Sequence, residues 1–153
     1  MVAMNRRVVI ILGSVLLLSL VGGTVLMLGD NEAERIEALT EEAQEGSAQA
    51  QYQLAHTFMS GSPDAKMEPN FQLAEQWFLK AAEQGHQPSQ HSLAGLYMSS
   101  ADFVGAYAWY TVASSGTNGL TAQLRDDCAK RMSPKDLAEG KNLAAKLRRQ
   151  LSE

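Results

Sequence analysis

The stretch Ala50-Gln51-Tyr52-Gln53-Leu54-Ala55-His56-Thr57-Phe58-Met59-Ser60 returns 39 residues later as Ser89-Gln90-His91-Ser92-Leu93-Ala94-Gly95-Leu96-Tyr97-Met98-Ser99. Leu-Ala recurs in the same place, an aromatic follows three residues after the Ala, and Met-Ser follows the aromatic. A second pair repeats at an offset of 32: Asn70-Phe71, Ala74 and Trp77-Phe78 against Asp102-Phe103, Ala106 and Trp109-Tyr110, with Ala81 against Ala113. The drop from 39 to 32 puts seven extra residues between the halves of the first unit. They fall in Gly61-Ser62-Pro63-Asp64-Ala65-Lys66-Met67-Glu68-Pro69, whose Gly and two prolines read as a loop.

Each half reads as a helix. Leu54, Ala55, Phe58 and Met59 recur at i, i+1, i+4 and i+5, and Ala74, Trp77, Phe78 and Ala81 at i, i+3, i+4 and i+7. Both sets make one apolar face at a period near 3.6 residues. Asn70 and Asp102 stand where an N-cap oxygen accepts from the first free amides, and Gly85 and Gly116 where a left-handed residue ends a helix. Small side chains at Ala55, Ala74, Ala94 and Ala106 let paired helices approach. Phe58, Trp77, Tyr97 and Trp109 fill the space between layers, as core rather than as a ligand cage.

The Ala50–Ser60 string, an Asn or Asp cap, and Ala74-x-x-Trp-Phe-x-Lys-Ala-Ala-Glu-Gln-Gly85, followed by a second and more degenerate copy, resemble the Sel1-like repeat, a relative of tetratricopeptide helix pairs. The resemblance covers roughly residues 46–119. It implies an all-α fold, a short α-α solenoid, in which the first helix of each pair lines a concave surface, and an adaptor that holds a protein or peptide partner. Some disulfide-rich members are associated with penicillin-binding or β-lactamase activity. The lone Cys128 breaks that pattern, so no enzymatic activity is carried over.

Stacked hairpins need ends to cover their apolar faces. Upstream, Glu32 to Gln44 places Ile36, Leu39 and Ala43 on one face and acids on the other. Downstream, Ser133-Pro134 starts a helix with Leu137, Leu143, Ala144, Leu147 and Leu151 facing one way. Leu120 to Met132 is expected to pair with it as an atypical hairpin.

Residues Val8 to Leu28 carry no charge: 15 of the 21 are Val, Ile, Leu or Met, and six are Gly, Ser or Thr. At 1.5 Å per residue such a helix spans about 31 Å, the thickness of a bilayer core. A cleaved signal peptide is the competing reading, but its apolar region runs about 7–15 residues and ends at a small-residue site. No Cys lies near the segment to carry a lipid. Arg6 and Arg7 precede it and Asp30, Glu32 and Glu34 follow, which places the N-terminus in the cytoplasm and the rest outside, in the periplasm of a Gram-negative cell. The expected organisation is a basic N-terminus (1–7), a transmembrane helix (8–28), a capping helix (30–45), two repeats (46–85 and 86–119) and a closing helical hairpin (120–153).

Residues 30–119 carry 3 basic and 12 acidic side chains, and 120–153 carry 8 basic and 5 acidic. The acidic body argues against nucleic acid, whose phosphates need a basic surface. Cys128, the single cysteine, excludes an intrachain disulfide and reads as a small buried thiol. His56, His86 and His91 lack the spacing of a metal site, and no catalytic motif or cofactor-binding glycine pattern is present, so neither a metal nor a cofactor is expected. The expected function is a membrane-tethered scaffold. Its candidate contacts are non-core positions of the two first helices: Gln53, His56 and Thr57, with Gln90 and Ser92. Two other readings remain open: a cell-wall or β-lactam hydrolase, and a membrane regulatory subunit recognised through its span.

Overall fold

The computed structural model describes residues 32–114 and 119–152. The expected span at 8–28, residues 1–7 and the expected helix end at Gly116 lie outside them. No described helix is long and apolar enough to cross a membrane.

Seven described helices follow one another: α1 (Glu32–Gln44), α2 (Ala48–Ser60), α3 (Phe71–Glu83), α4 (Gln87–Ser99), α5 (Phe103–Ala113), α6 (Gly119–Lys130) and α7 (Pro134–Gln150). From α1 to α5 each packs on the next, giving an all-α helical-repeat solenoid of two hairpins, α2–α3 and α4–α5, flanked on both sides. The caps expected at Asn70 and Asp102 are formed: their side chains accept from the amides of Leu73 and Gly105 at 3.0 and 2.9 Å. Ser47 and Ser133 cap α2 and α7 in the same way. His86, at the N-cap of α4, makes no such bond; Pro88 beside it needs no partner for an amide it lacks.

The apolar face read from the sequence is the core. Leu54, Ala55, Ala74, Phe78, Leu93, Ala94 and Ala106 are wholly buried, and each large side chain among them contributes about 1.5–3 kcal/mol on leaving water. Cys128 is also buried, and burial raises its thiol pKa, so it is packing and not a nucleophile.

The seven extra residues form an ordered excursion. Ser62 and Met67 exchange backbone hydrogen bonds at 2.8 and 2.9 Å, and Gly61, at φ +72°, leaves α2 where a Cβ would lie 2.7 Å from the Met67 carbonyl. Both hairpins nevertheless close identically. The Asn70 amide donates to the Phe58 carbonyl, and the equivalent Asp102 amide to the equivalent Tyr97 carbonyl. In the shorter turn of the second unit, Ala101 takes a left-handed φ of +63°.

Two features depart from expectation. First, α1 is more than an amphipathic cap. It has the length of α3 at an offset of 39 residues, and its junction to α2 repeats the junction of α3 to α4. Gly46 and Gly85 stand at positive φ, and Ser47 and His86 occupy the N-caps. So α1 is the second half of a repeat, altered at one face: where α3 has the buried Ala74 and Ala81, α1 has Arg35 and Glu42, both exposed. Secondly, α6 and α7 pack chiefly on α5 rather than on each other. Gly140 makes this possible, since a Cβ there would lie 3.0 Å from the Tyr107 ring and 3.2 Å from the Met132 methyl. Near its other end, Arg148 donates from Nη2 to the Thr111 carbonyl at 2.8 Å.

Candidate partner-binding surface

The candidate residues of the first helices fall into different environments. Gln53 on α2 is exposed; Thr57 and Ser92 are half-buried, the Thr57 hydroxyl donating within its helix to the Gln53 carbonyl at 3.1 Å. These three keep polar atoms near solvent on successive first helices.

Gln90 is corrected. Only 5% exposed, it donates from Nε2 to the Ala82 carbonyl near the end of α3 at 3.2 Å. Gln51, its counterpart in the first unit, does the same to the Ala43 carbonyl of α1 at 3.0 Å, and accepts from Gln84 Nε2 at 2.7 Å. Both bonds reach back eight residues to a carbonyl in the last turn of the preceding helix, which also accepts the amide of Gly46 or Gly85. Gln90 therefore ties one hairpin to the next. Its recurrence at the same register as Gln51 was the available signal, because a contact residue has no reason to repeat while a structural tie does.

His56 is a wedge between α2 and α3. Its ring stands edge-on to Tyr52, with centroids 4.6 Å apart, and to Phe78 at 5.0 Å. Burial lowers its pKa, keeping it neutral, and its Nε2 is enclosed with no hydrogen-bond partner among the described residues. Tyr52 also meets the His86 ring at 5.1 Å. His86 in turn hydrogen-bonds to Ser89 Oγ at 2.8 Å through Nδ1. In the second unit the positions of Tyr52, His56 and Phe78 are taken by His91, Gly95 and Tyr110. His91 stands edge-on to Tyr110 at 5.4 Å, and the Tyr110 hydroxyl lies 3.7 Å from where a Cβ on Gly95 would be. The hydroxyl thus fills the space that His56 fills in the first unit. His91 also reaches Thr121 of α6 at 3.3 Å. The three histidines serve three separate packing roles, and no cluster of His, Cys, Asp or Glu able to hold a metal occurs among the described residues.

A groove that sequence reasoning missed lies between the start of α3 and the end of α4. It encloses about 310 Å³ between Phe71, Gln72 and Glu75 on one side and Leu96, Tyr97, Ser99 and Ser100 on the other. Phe71 is 59% exposed, unusual for so large an apolar side chain. Burial first, then the Glu75 carboxylate and then Asp102, push the pKa of the Tyr97 hydroxyl well above the ordinary value, so it stays protonated. A second hollow, of about 370 Å³, lies beside Gly85, Gln87, Gln90, Val112, Arg148 and Leu151. Gln87 Nε2 donates there to the Ala113 carbonyl at 2.9 Å.

Two helix pairs of one register, tied by equivalent glutamines and closed by equivalent backbone bonds, are what family comparison recognises: residues 48–86 and 89–118 match the Sel1 repeat. These two stretches are similar to the Sel1 repeat. No curated protein matches it. Among solved structures it is similar to a protective antigen present in uropathogenic Escherichia coli strains and displaying an SLR fold, at 25% identity and a TM-score of 0.71. That likeness covers 81% of this chain and 27% of the antigen. The chain thus spans about a quarter of that relative's length. The match ends at residue 118, so α6 and α7 lie beyond it.

Proposed function

We propose that this protein is a membrane-tethered interaction module, whose Sel1 repeats hold a protein or peptide partner outside the cytoplasm. The observation that carries the interaction reading is the pair of consecutive Sel1 repeats packed in one register. Such a stack presents variable side chains at fixed spacing on rigid helices, a form suited to gripping a peptide or helix. Gln53, Thr57 and Ser92, on successive first helices, are the contacts assigned to that surface. The tether is supported by the uncharged run from Val8 to Leu28 and by the arginines before it and acids after it.

Crosslinking and pull-down from solubilised membranes tests the interaction. A partner recovered with the full chain, and still recovered when Val8–Leu28 is exchanged for an unrelated span, supports recognition by the repeats. Loss on that exchange assigns recognition to the span instead. Reporter fusions after Glu153 test the placement: activity of a reporter that works only outside the cytoplasm is expected, and activity of a cytoplasm-only reporter in its place overturns it.

A further inference from the structure

The repeat shows, in its second copy, what the groove of its first copy lacks. Phe71 opens α3 directly after the Asn70 cap, and Phe103 opens α5 directly after the Asp102 cap. Phe103 is covered: the guanidinium of Arg131, one residue beyond the end of α6, lies 5.5 Å from its ring centroid, within cation–π range. The corresponding end of α4 offers Phe71 only Ser99 and Ser100, and the space left is the groove. That space has the electrostatics a cation wants. Its described lining holds one carboxylate, Glu75, and no basic side chain; the carbonyl end of α4, with its partial negative charge, forms the opposite wall. Leu96 and the Phe71 ring add an apolar floor.

We infer that the groove between the start of α3 and the end of α4 is a docking site for an arginine-bearing peptide segment of a protein partner. The guanidinium stacks on Phe71 as Arg131 stacks on Phe103 and pairs with Glu75, while a neighbouring aliphatic side chain rests on Leu96. Arginine suits the site better than lysine because its plane both stacks and bonds in a fork. The inference rests on the interaction reading and names a surface for it distinct from the first-helix contacts.

Selection of a random-peptide display library on the detergent-solubilised full chain tests it. Enriched peptides are expected to pair an Arg with an adjacent Leu, Ile, Phe or Trp. Their binding should weaken at least about tenfold when that Arg is replaced by citrulline, and to a similar degree with Phe71→Ser. Phe71 is exposed, so Phe71→Ser should leave the thermal midpoint close to that of the parent chain, and Glu75→Lys should shift preference towards acidic peptides. Peptides that bind Phe71→Ser and Glu75→Lys as well as the parent overturn the groove and leave the interaction reading standing. A selection that enriches no peptide overturns both.

Discussion

At the scale of single residues, side chains that look alike in the repeat divide into ties and surfaces. Gln90 holds a helix-end carbonyl from a buried position, whereas Gln53, two residues beyond its counterpart Gln51, faces water. The Ala82 carbonyl keeps the Gly85 amide when Gln90 is replaced, so the loss is that of one hydrogen bond, about 0.5–1.5 kcal/mol. Gln90→Leu should therefore lower stability by that amount in denaturant unfolding, and Gln53→Ala should change it by less than about 0.5 kcal/mol. His56 adds a pH dependence. Burial lowers its pKa from the ordinary 6.5, so below 6.5 the unfolded chain binds a proton that the folded chain resists. The stability present above 6.5 is then lost as pH falls towards the depressed folded value. The thermal midpoint should drop as pH is taken from above 6.5 towards 5, ahead of most carboxylate titration. His86, shifted in the same direction, contributes as well, so His56→Phe should reduce the slope without abolishing it. An unchanged slope in His56→Phe would show that this ring stays solvated. The role of Gln90 was signalled by its recurrence at the register of Gln51, but that of His56 was not legible: only the neighbouring helix decides whether a polar side chain at the edge of the apolar stripe is enclosed.

At the scale of elements, helix existence, caps and the inserted loop followed from local rules, because amide capping and apolar periodicity act within a few residues of chain. The partner of each element did not always follow. The apolar stripe of α7 was readable from Leu137 to Leu151, but a stripe does not name the helix it covers. Gly140, flanked by Glu139 and Lys141, gave no sign of being a contact point, yet it brings α7 against Tyr107 of α5. A larger side chain there must push the Tyr107 ring and the Met132 methyl aside, and overpacking of this kind costs about 1–3 kcal/mol. Gly140→Leu is expected to destabilise by about that much and to raise proteolytic sensitivity within 134–150 before the rest of the chain. Were α7 instead packed mainly on α6, the same variant would leave that segment protected.

At the scale of the whole molecule, α1 differs from α3 by substitution at one face of a repeat. Arg35 and Glu42 occupy the registers of Ala74 and Ala81 and charge the face that those alanines make adhesive. A terminal repeat with a polar outer face keeps a stack soluble. Arg35→Ala combined with Glu42→Ala should restore the α3-like face and increase self-association, read as a rise in mass with concentration by light scattering. A concentration-independent mass equal to that of the parent would mean the charges do not guard this end.

The sequence by itself determined the number and hand-over of helices, the repeat, the core alanines and aromatics, and the caps. These depend on side-chain type and short-range spacing, which are written along the chain. Tertiary structure decided three things: that α1 is a half repeat in register with α3, that α6 and α7 both lie on α5, and that Phe71 stands open while Phe103 is covered. Each of these depends on which side chain arrives from another helix end. Arg131 arrives over Phe103 and only serines arrive over Phe71, although the residues that open the two helices are the same in the sequence.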